Sequence, residues 1–94
     1  MKQDRTEFYN KLKTQLDDTG KWPGEYMYKF IVPSSGSGVE QVESNFKEFG
    51  AVITTRASKT GKYTSVTIRV IMPSSEMIIQ KYKDCEEIEG IVSL

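Results

Sequence analysis

Few residues in this chain can do chemistry. There is no histidine and a single cysteine, Cys85. Without imidazole there is no Ser–His–Asp or Cys–His arrangement to generate a nucleophile, and one thiol cannot supply a zinc-finger or blue-copper ligand set. Glu86, Glu87 and Glu89 crowd together near the C-terminus, but clustered acids without a pocket read as a solvated face. Cys85 falls on the apolar stripe of a late helix, where a thiol reads as core rather than as a nucleophile. Catalysis is therefore not expected, and no metal or other cofactor is implied.

Two segments carry binding chemistry instead. From Ala51 to Pro73 there are four cations, Arg56, Lys59, Lys62 and Arg69, and no acid, whereas Ser74 to Leu94 holds two cations and five acids. The basic stretch, with Tyr63 at its centre, suits an anionic ligand, a nucleic-acid backbone or an acidic partner. The plainer reading is that lysines solubilise a hairpin tip and that charge on an edge strand prevents edge-to-edge pairing. The second segment, Pro33-Ser34-Ser35-Gly36-Ser37-Gly38, places three serines and two glycines ahead of a helix. Backbone N–H groups at such a terminus cradle carboxylates or phosphates. No Gly-Lys-Ser/Thr follows, so it is neither a P-loop nor a dinucleotide fingerprint, and a flexible capped connection is the bland alternative.

The elements that must position these segments follow from periodicity. Phe8, Leu12 and Leu16, with Tyr9 beside them, predict an amphipathic helix over Asp4–Leu16, broken at Asp17-Asp18-Thr19-Gly20. Trp22-Pro23-Gly24 reads as a turn. Tyr26 to Val32 alternates, with Tyr26, Tyr28, Phe30 and Val32 on one face and Met27, Lys29 and Ile31 on the other. Val39, Val42, Phe46 and Phe49 mark a second helix closed by Gly50. Ala51–Ala57 and Tyr63–Met72 read as strands joined through Ser58–Lys62. Pro73-Ser74-Ser75-Glu76 opens a last helix with Ile78, Ile79, Tyr82 and Cys85 as its apolar stripe. Ile91–Leu94 is a short terminal strand.

An internal echo organises these pieces. Ile31-Val32-Pro33-Ser34-Ser35 recurs forty positions on as Ile71-Met72-Pro73-Ser74-Ser75, each copy ending a strand and opening a helix. Two βαβ halves joined by a hairpin give an α+β, ferredoxin-like βαββαβ fold. It is expected as a four-stranded antiparallel sheet with two helices on one face, plus the N-terminal amphipathic helix. Strands one and three are placed at the centre and, from the likeness of the halves, read as parallel to each other. Residues 1–20 form the N-terminal helix and linker, and residues 21–94 the domain. At 94 residues, 37% hydrophobic and 28% charged, one globular domain is expected and two are not. Apolar runs are short and Met1-Lys2-Gln3-Asp4-Arg5 resembles no signal peptide, so no membrane association is expected. The lone cysteine fits a reducing cytoplasm.

With both helices on one face, the other face carries Met27, Lys29, Ile31, Tyr63, Ser65, Thr67, Arg69 and Ile71. Met27, Ile31 and Ile71 make it too apolar to be fully solvated. Either the N-terminal helix lays Phe8, Leu12 and Leu16 across it, or a second copy covers it as a homodimer, or it stands bare beside a frayed helix. Gly61-Lys62-Tyr63-Thr64-Ser65 faintly resembles the third-strand motif of RNA-recognition domains, but Ser65 stands where a second stacking aromatic belongs. With a formal net charge of zero, nucleic acid is not the expected partner. The loop after strand one lacks the arginine of acylphosphatases and the Cys-x-x-Cys of metal chaperones. Small amino-acid sensors of the ACT type use the same loop, an analogy of architecture alone.

Ser58-Lys59-Thr60-Gly61-Lys62-Tyr63-Thr64-Ser65-Val66-Thr67-Ile68, with Tyr82 and Ile91-Val92-Ser93-Leu94, resembles the YbeD-like family of small, functionally uncharacterised bacterial proteins, also labelled lipoate regulatory. Trp22-Pro23-Gly24-Glu25-Tyr26 is similar to the family's Pro-aromatic lead-in to strand one, and the resemblance spans Trp22 to Leu94. Thr60 lengthens the hairpin turn relative to the family's pattern, and Pro33–Gly38 is longer than the corresponding loop. The resemblance implies a ferredoxin-like fold similar to the regulatory domain of phosphoglycerate dehydrogenase, and at most a regulatory association with lipoate. It carries over no catalytic residues.

The sequence thus leads to the expectation of a non-enzymatic cytoplasmic regulatory or adaptor module for a small metabolite or a protein partner. Arg56, Lys59, Lys62, Tyr63, Arg69, Ser34, Ser35 and Gly36 are its candidate contacts. The alternatives are a self-associating domain using Met27, Ile31 and Ile71, or a weak binder of single-stranded RNA.

Overall fold

The computed structural model describes residues 6–94; Asp4 and Arg5, at the expected helix start, lie outside them. In chain order the elements are α1 (Thr6–Thr19), β1 (Gly24–Pro33), α2 (Gly38–Phe46) with a 3₁₀ turn (Lys47–Phe49), β2 (Val52–Ala57), β3 (Tyr63–Met72), α3 (Ser75–Glu86) and β4 (Val92–Ser93). The strands form one sheet in the order β2-β3-β1-β4. β1 pairs with β3 along its whole length, from Gly24 opposite Met72 to Pro33 opposite Tyr63. β2 pairs with β3, and β4 covers β1 only at Phe30 and Ile31.

β1 and β3 are central, as expected, but they run antiparallel rather than parallel. The chain path requires this. The α2 crossover returns β2 in the direction of β1, and the hairpin then sends β3 back between them. The echo fixes where each strand ends, not which way it points.

The helix-facing side of the sheet supplies the core. Tyr28, Phe30 and Val32 from β1 alternate inward, as do Val66, Ile68, Val70 and Met72 from β3. Val42 and Phe46 of α2 and Ile78 and Cys85 of α3 close over them. The Tyr28 hydroxyl donates to the Ile78 carbonyl at 2.9 Å, and the hydroxyls of Tyr26 and Tyr82 meet at 2.8 Å. Burial raises the pKa of both Tyr28 and Tyr82, so these phenols stay protonated. Gly50, at φ +65°, ends the 3₁₀ turn in the left-handed conformation that the Gly signal anticipated.

α1 settles elsewhere than its apolar stripe allowed for. It lies beside α3 on the helical side, not across the open face of the sheet. Tyr9 and Leu16 are buried, Leu12 is half-buried, and Phe8, read as part of the stripe laid across the open face, is 51% exposed. The Ser75 hydroxyl donates to the Asp17 carboxylate, and the Lys83 ammonium stands 5.5 Å from the centre of the Tyr9 ring. Asp17, Asp18 and Thr19 continue the helix rather than break it. At its end the Leu16 carbonyl accepts the Gly20 N–H at 2.9 Å and the Trp22 indole N–H at 3.2 Å, satisfying an acceptor that helix termini leave free.

Candidate functional site

The basic hairpin is organised by Ser58. Its N–H donates to the Tyr63 carbonyl at 2.8 Å, its carbonyl accepts the Gly61 N–H at 2.9 Å, and its hydroxyl accepts the Tyr63 N–H at 3.2 Å. Gly61, at φ +74°, takes the left-handed position that closes the turn lengthened by Thr60. Lys59 and Lys62 are exposed, and Tyr63 is 51% exposed.

The register brings the loop after β1 to this hairpin. Because Pro33 stands opposite Tyr63, the next residue reaches the turn: the Ser34 N–H donates to the Lys62 carbonyl at 2.8 Å, and the hydroxyls of Ser34 and Thr64 meet at 2.8 Å. Ser34, Lys62 and Tyr63 thus form one end of the sheet. Ser35 and Gly36 line an adjoining cleft of about 510 Å³ between the start of α2 and the link that follows α3, with Gln41 and Glu89 at its walls. Ser37 does not cap α2 through its side chain; its hydroxyl accepts instead from the Gln41 amide at 2.8 Å. Gly90, at φ +74°, packs against the Pro33 ring so closely that a Cβ there would sit 2.8 Å from its Cγ, which holds that link against the end of β1.

Arg56 and Arg69 go elsewhere. Arg56 lies opposite Ser65 on the open face, behind the hairpin tip. Arg69 lies four residues further along β3, roughly 13 Å away, and pairs with Glu25 at 3.2 Å. Met27 and Ile71 are 58% and 59% exposed on that same face, and Ile31 is half-buried.

Sequence reasoning passed over three features. Thr64, which ties the loop to the hairpin, has no signal without the strand register. Lys81 is buried between α3 and the 3₁₀ turn, 3.4 Å from the Glu48 carboxylate, 3.6 Å from Asp84 and 5.2 Å from the centre of the Phe49 ring. An apolar cavity of about 230 Å³ separates α1 from the β4 edge, lined in part by Tyr9, Leu12, Phe30, Tyr82 and Ile91. Cys85 is 1% exposed and accepts from the Asn45 amide at 3.4 Å; burial raises its pKa and leaves it a protonated core thiol. Among the described residues no cluster of His, Cys, Asp and Glu is arranged to hold a metal ion, and no helix is long and apolar enough to cross a membrane.

Sheet order and helix placement define a ferredoxin-like α+β domain. The same fold is found in the ACT domain from GTP pyrophosphokinase of Chlorobium tepidum, with a TM-score of 0.54 over 76% of this chain and 100% of that one, at 8% identity. Residues 17–94 match the family described as "Protein of unknown function (DUF493)", and the chain belongs to that family. Its relatives include UPF0250 proteins of Shewanella piezotolerans, 30% identical over 83 residues, and Shewanella halifaxensis, 29% identical over 83 residues. Each alignment spans 85% of this chain and 94% of the relative. The YbeD-like resemblance read from the hairpin and its flanks is the same uncharacterised bacterial family.

Proposed function

We propose that the protein is a non-enzymatic cytoplasmic regulatory module, and that its ligand contacts lie where the loop after β1 meets the β2–β3 hairpin. The observation that supports this reading is the pair of Ser34 hydrogen bonds, to Lys62 and to Thr64, which join the two candidate segments into one surface. That surface offers the exposed Lys59 and Lys62, the Tyr63 ring and the Ser34 hydroxyl, and the next residue, Ser35, lines the cleft at the start of α2. This chemistry suits a small anionic metabolite, held by charge-assisted hydrogen bonds and by N–H groups at the helix terminus. The fold shared with an ACT domain of a GTP pyrophosphokinase is in keeping with a regulatory role. The absence of histidine and the burial of the sole thiol support a module without catalysis.

Thermal unfolding of the full chain in the presence of glutamate, inorganic phosphate and guanosine triphosphate tests the reading. A ligand at a hundredfold excess over its dissociation constant stabilises by about 2.7 kcal/mol. At least one probe should raise the melting temperature of the wild type, and Lys59→Ala/Lys62→Ala/Tyr63→Ala should abolish that rise while melting normally without ligand. A rise that persists in the triple variant would place the site elsewhere.

A further inference from the structure

The open face of the sheet, opposite the helices, is electrically one-sided. Residues facing each other across the strands share this face. Met27, Arg69 and Val52 form one row; Lys29, Thr67 and Thr54 the next; Val92, Ile31, Ser65 and Arg56 a third. Three cations, Lys29, Arg56 and Arg69, stand on it. Among the described residues its one acid is Glu25, which pairs with Arg69. The other described acids lie on α1, α2, the 3₁₀ turn, α3 and the segment after α3. A chain of zero formal net charge therefore has a positive sheet face and an acidic helical side.

Between the cations stand Met27, Val52, Ile71 and Val92, all at least 52% exposed. Removing such surface from water is favourable. No helix among the described residues does so, because α1 is engaged with α3.

We propose that this face docks an acidic amphipathic helix of a partner protein, its apolar side chains on Met27, Ile31 and Ile71 and its carboxylates toward Lys29, Arg56 and Arg69. Charge complementarity selects this occupant. Two copies of the face stacked on each other bring the three cations against their like. A single-stranded nucleic acid needs aromatic platforms, and among the described residues Tyr63, at the margin, is the sole aromatic on the face. β2, β3 and β1 span about 10 Å between the outer two along most of the face, the width of one helix roughly 10 Å across. The inference concerns a different surface from the loop–hairpin end and does not depend on it.

The test is an amide chemical-shift titration of the ¹⁵N-labelled full chain with three synthetic probes: an amphipathic Glu/Leu helical peptide, a Lys/Leu peptide of the same pattern, and oligouridine. The Glu/Leu peptide should shift amides within residues 27–31, 52–56 and 65–71. Lys29→Glu/Arg56→Glu should weaken it roughly tenfold or more with an unchanged melting temperature, and Lys29→Gln/Arg56→Gln should weaken it less. The inference is overturned by no shifts at about 1 mM Glu/Leu peptide, or by equal binding of the Lys/Leu peptide. It is also overturned by tighter binding of oligouridine to these residues, or by the same shifts appearing with protein concentration alone, which would make a second copy the occupant.

Discussion

The Ser34 amide donates to the Lys62 carbonyl at 2.8 Å, and this bond joins two segments 28 positions apart into one surface. The Ser34–Thr64 hydroxyl pair reinforces it. Ser34→Ala removes only the hydroxyl contact and should cost about 0.5 kcal/mol, at the low end for an exposed hydrogen bond. Ser34→Pro also removes the donor and should cost roughly 1–3 kcal/mol. Denaturant midpoints of the two variants check this ordering, and equal midpoints would show that the backbone bond does not hold the loop.

The contact of Asp17 with Ser75 makes the docking of α1 depend on pH. The Ser75 hydroxyl, and then the Lys13 ammonium at 3.0 Å, favour the charged carboxylate and lower its pKa below the ordinary 3.8. A lowered folded-state pKa contributes stability that is fully present above pH 3.8 and is lost as pH falls through the lower folded value. Asp17→Asn should therefore be less stable than wild type at pH 7, and the difference should close below pH 3.8. Paired chemical denaturation across this range provides the check; a gap independent of pH would mean that the charge is not involved.

The aromatic core separates packing from hydrogen bonding. Phe46 is fully buried, its ring centre 4.8 Å from that of Tyr28. Phe46→Ala should cost about 3–5 kcal/mol, a large part of a small domain's stability. Tyr82→Phe keeps the ring and removes the hydroxyl bond to Tyr26, for about 1 kcal/mol. Urea unfolding distinguishes the two, and comparable losses would mean that the hydroxyl pair matters as much as the packing.

Cys85 should react with an aromatic disulfide reagent only as fast as the protein opens. Burial keeps the thiol covered and protonated, outweighing the Asn45 amide, whose hydrogen bond to sulfur favours the thiolate. Labelling should accelerate in step with denaturant-induced opening. Immediate labelling of the native protein would contradict the packing of α3.

Much of this architecture was legible in the residues. The alternation of Tyr28, Phe30 and Val32 and of Val66, Ile68, Val70 and Met72 marked the buried face of each central strand, and the Pro-Ser-Ser echo marked where each strand ends. The side on which α1 docks was not legible. An apolar stripe shows that a helix face is buried but not against what, and Tyr9 took the place read for Phe8 because α3 lies to that side. Lys81 carries no signal of burial in the sequence; Glu48, brought up by the 3₁₀ turn, and Asp84, one turn on along α3, together provide the charge that lets it be buried. Of the candidate contacts, Ser34, Lys62 and Tyr63 were identified singly, but their meeting depends on the pairing of Pro33 with Tyr63. Arg56 and Arg69 were grouped with the hairpin by sequence proximity, although the alternation of β3 already placed Arg69 on the open face; the pairing of Arg56 with Ser65 puts it there too.

The most direct test of the central claim is amide shift mapping of the ¹⁵N-labelled full chain against glutamate, inorganic phosphate and guanosine triphosphate. A binding probe should shift residues 34–36 and 59–63 together, because one hydrogen-bonded unit holds both. Shifts confined to one of the two segments, or to the cavity between α1 and β4, would contradict it.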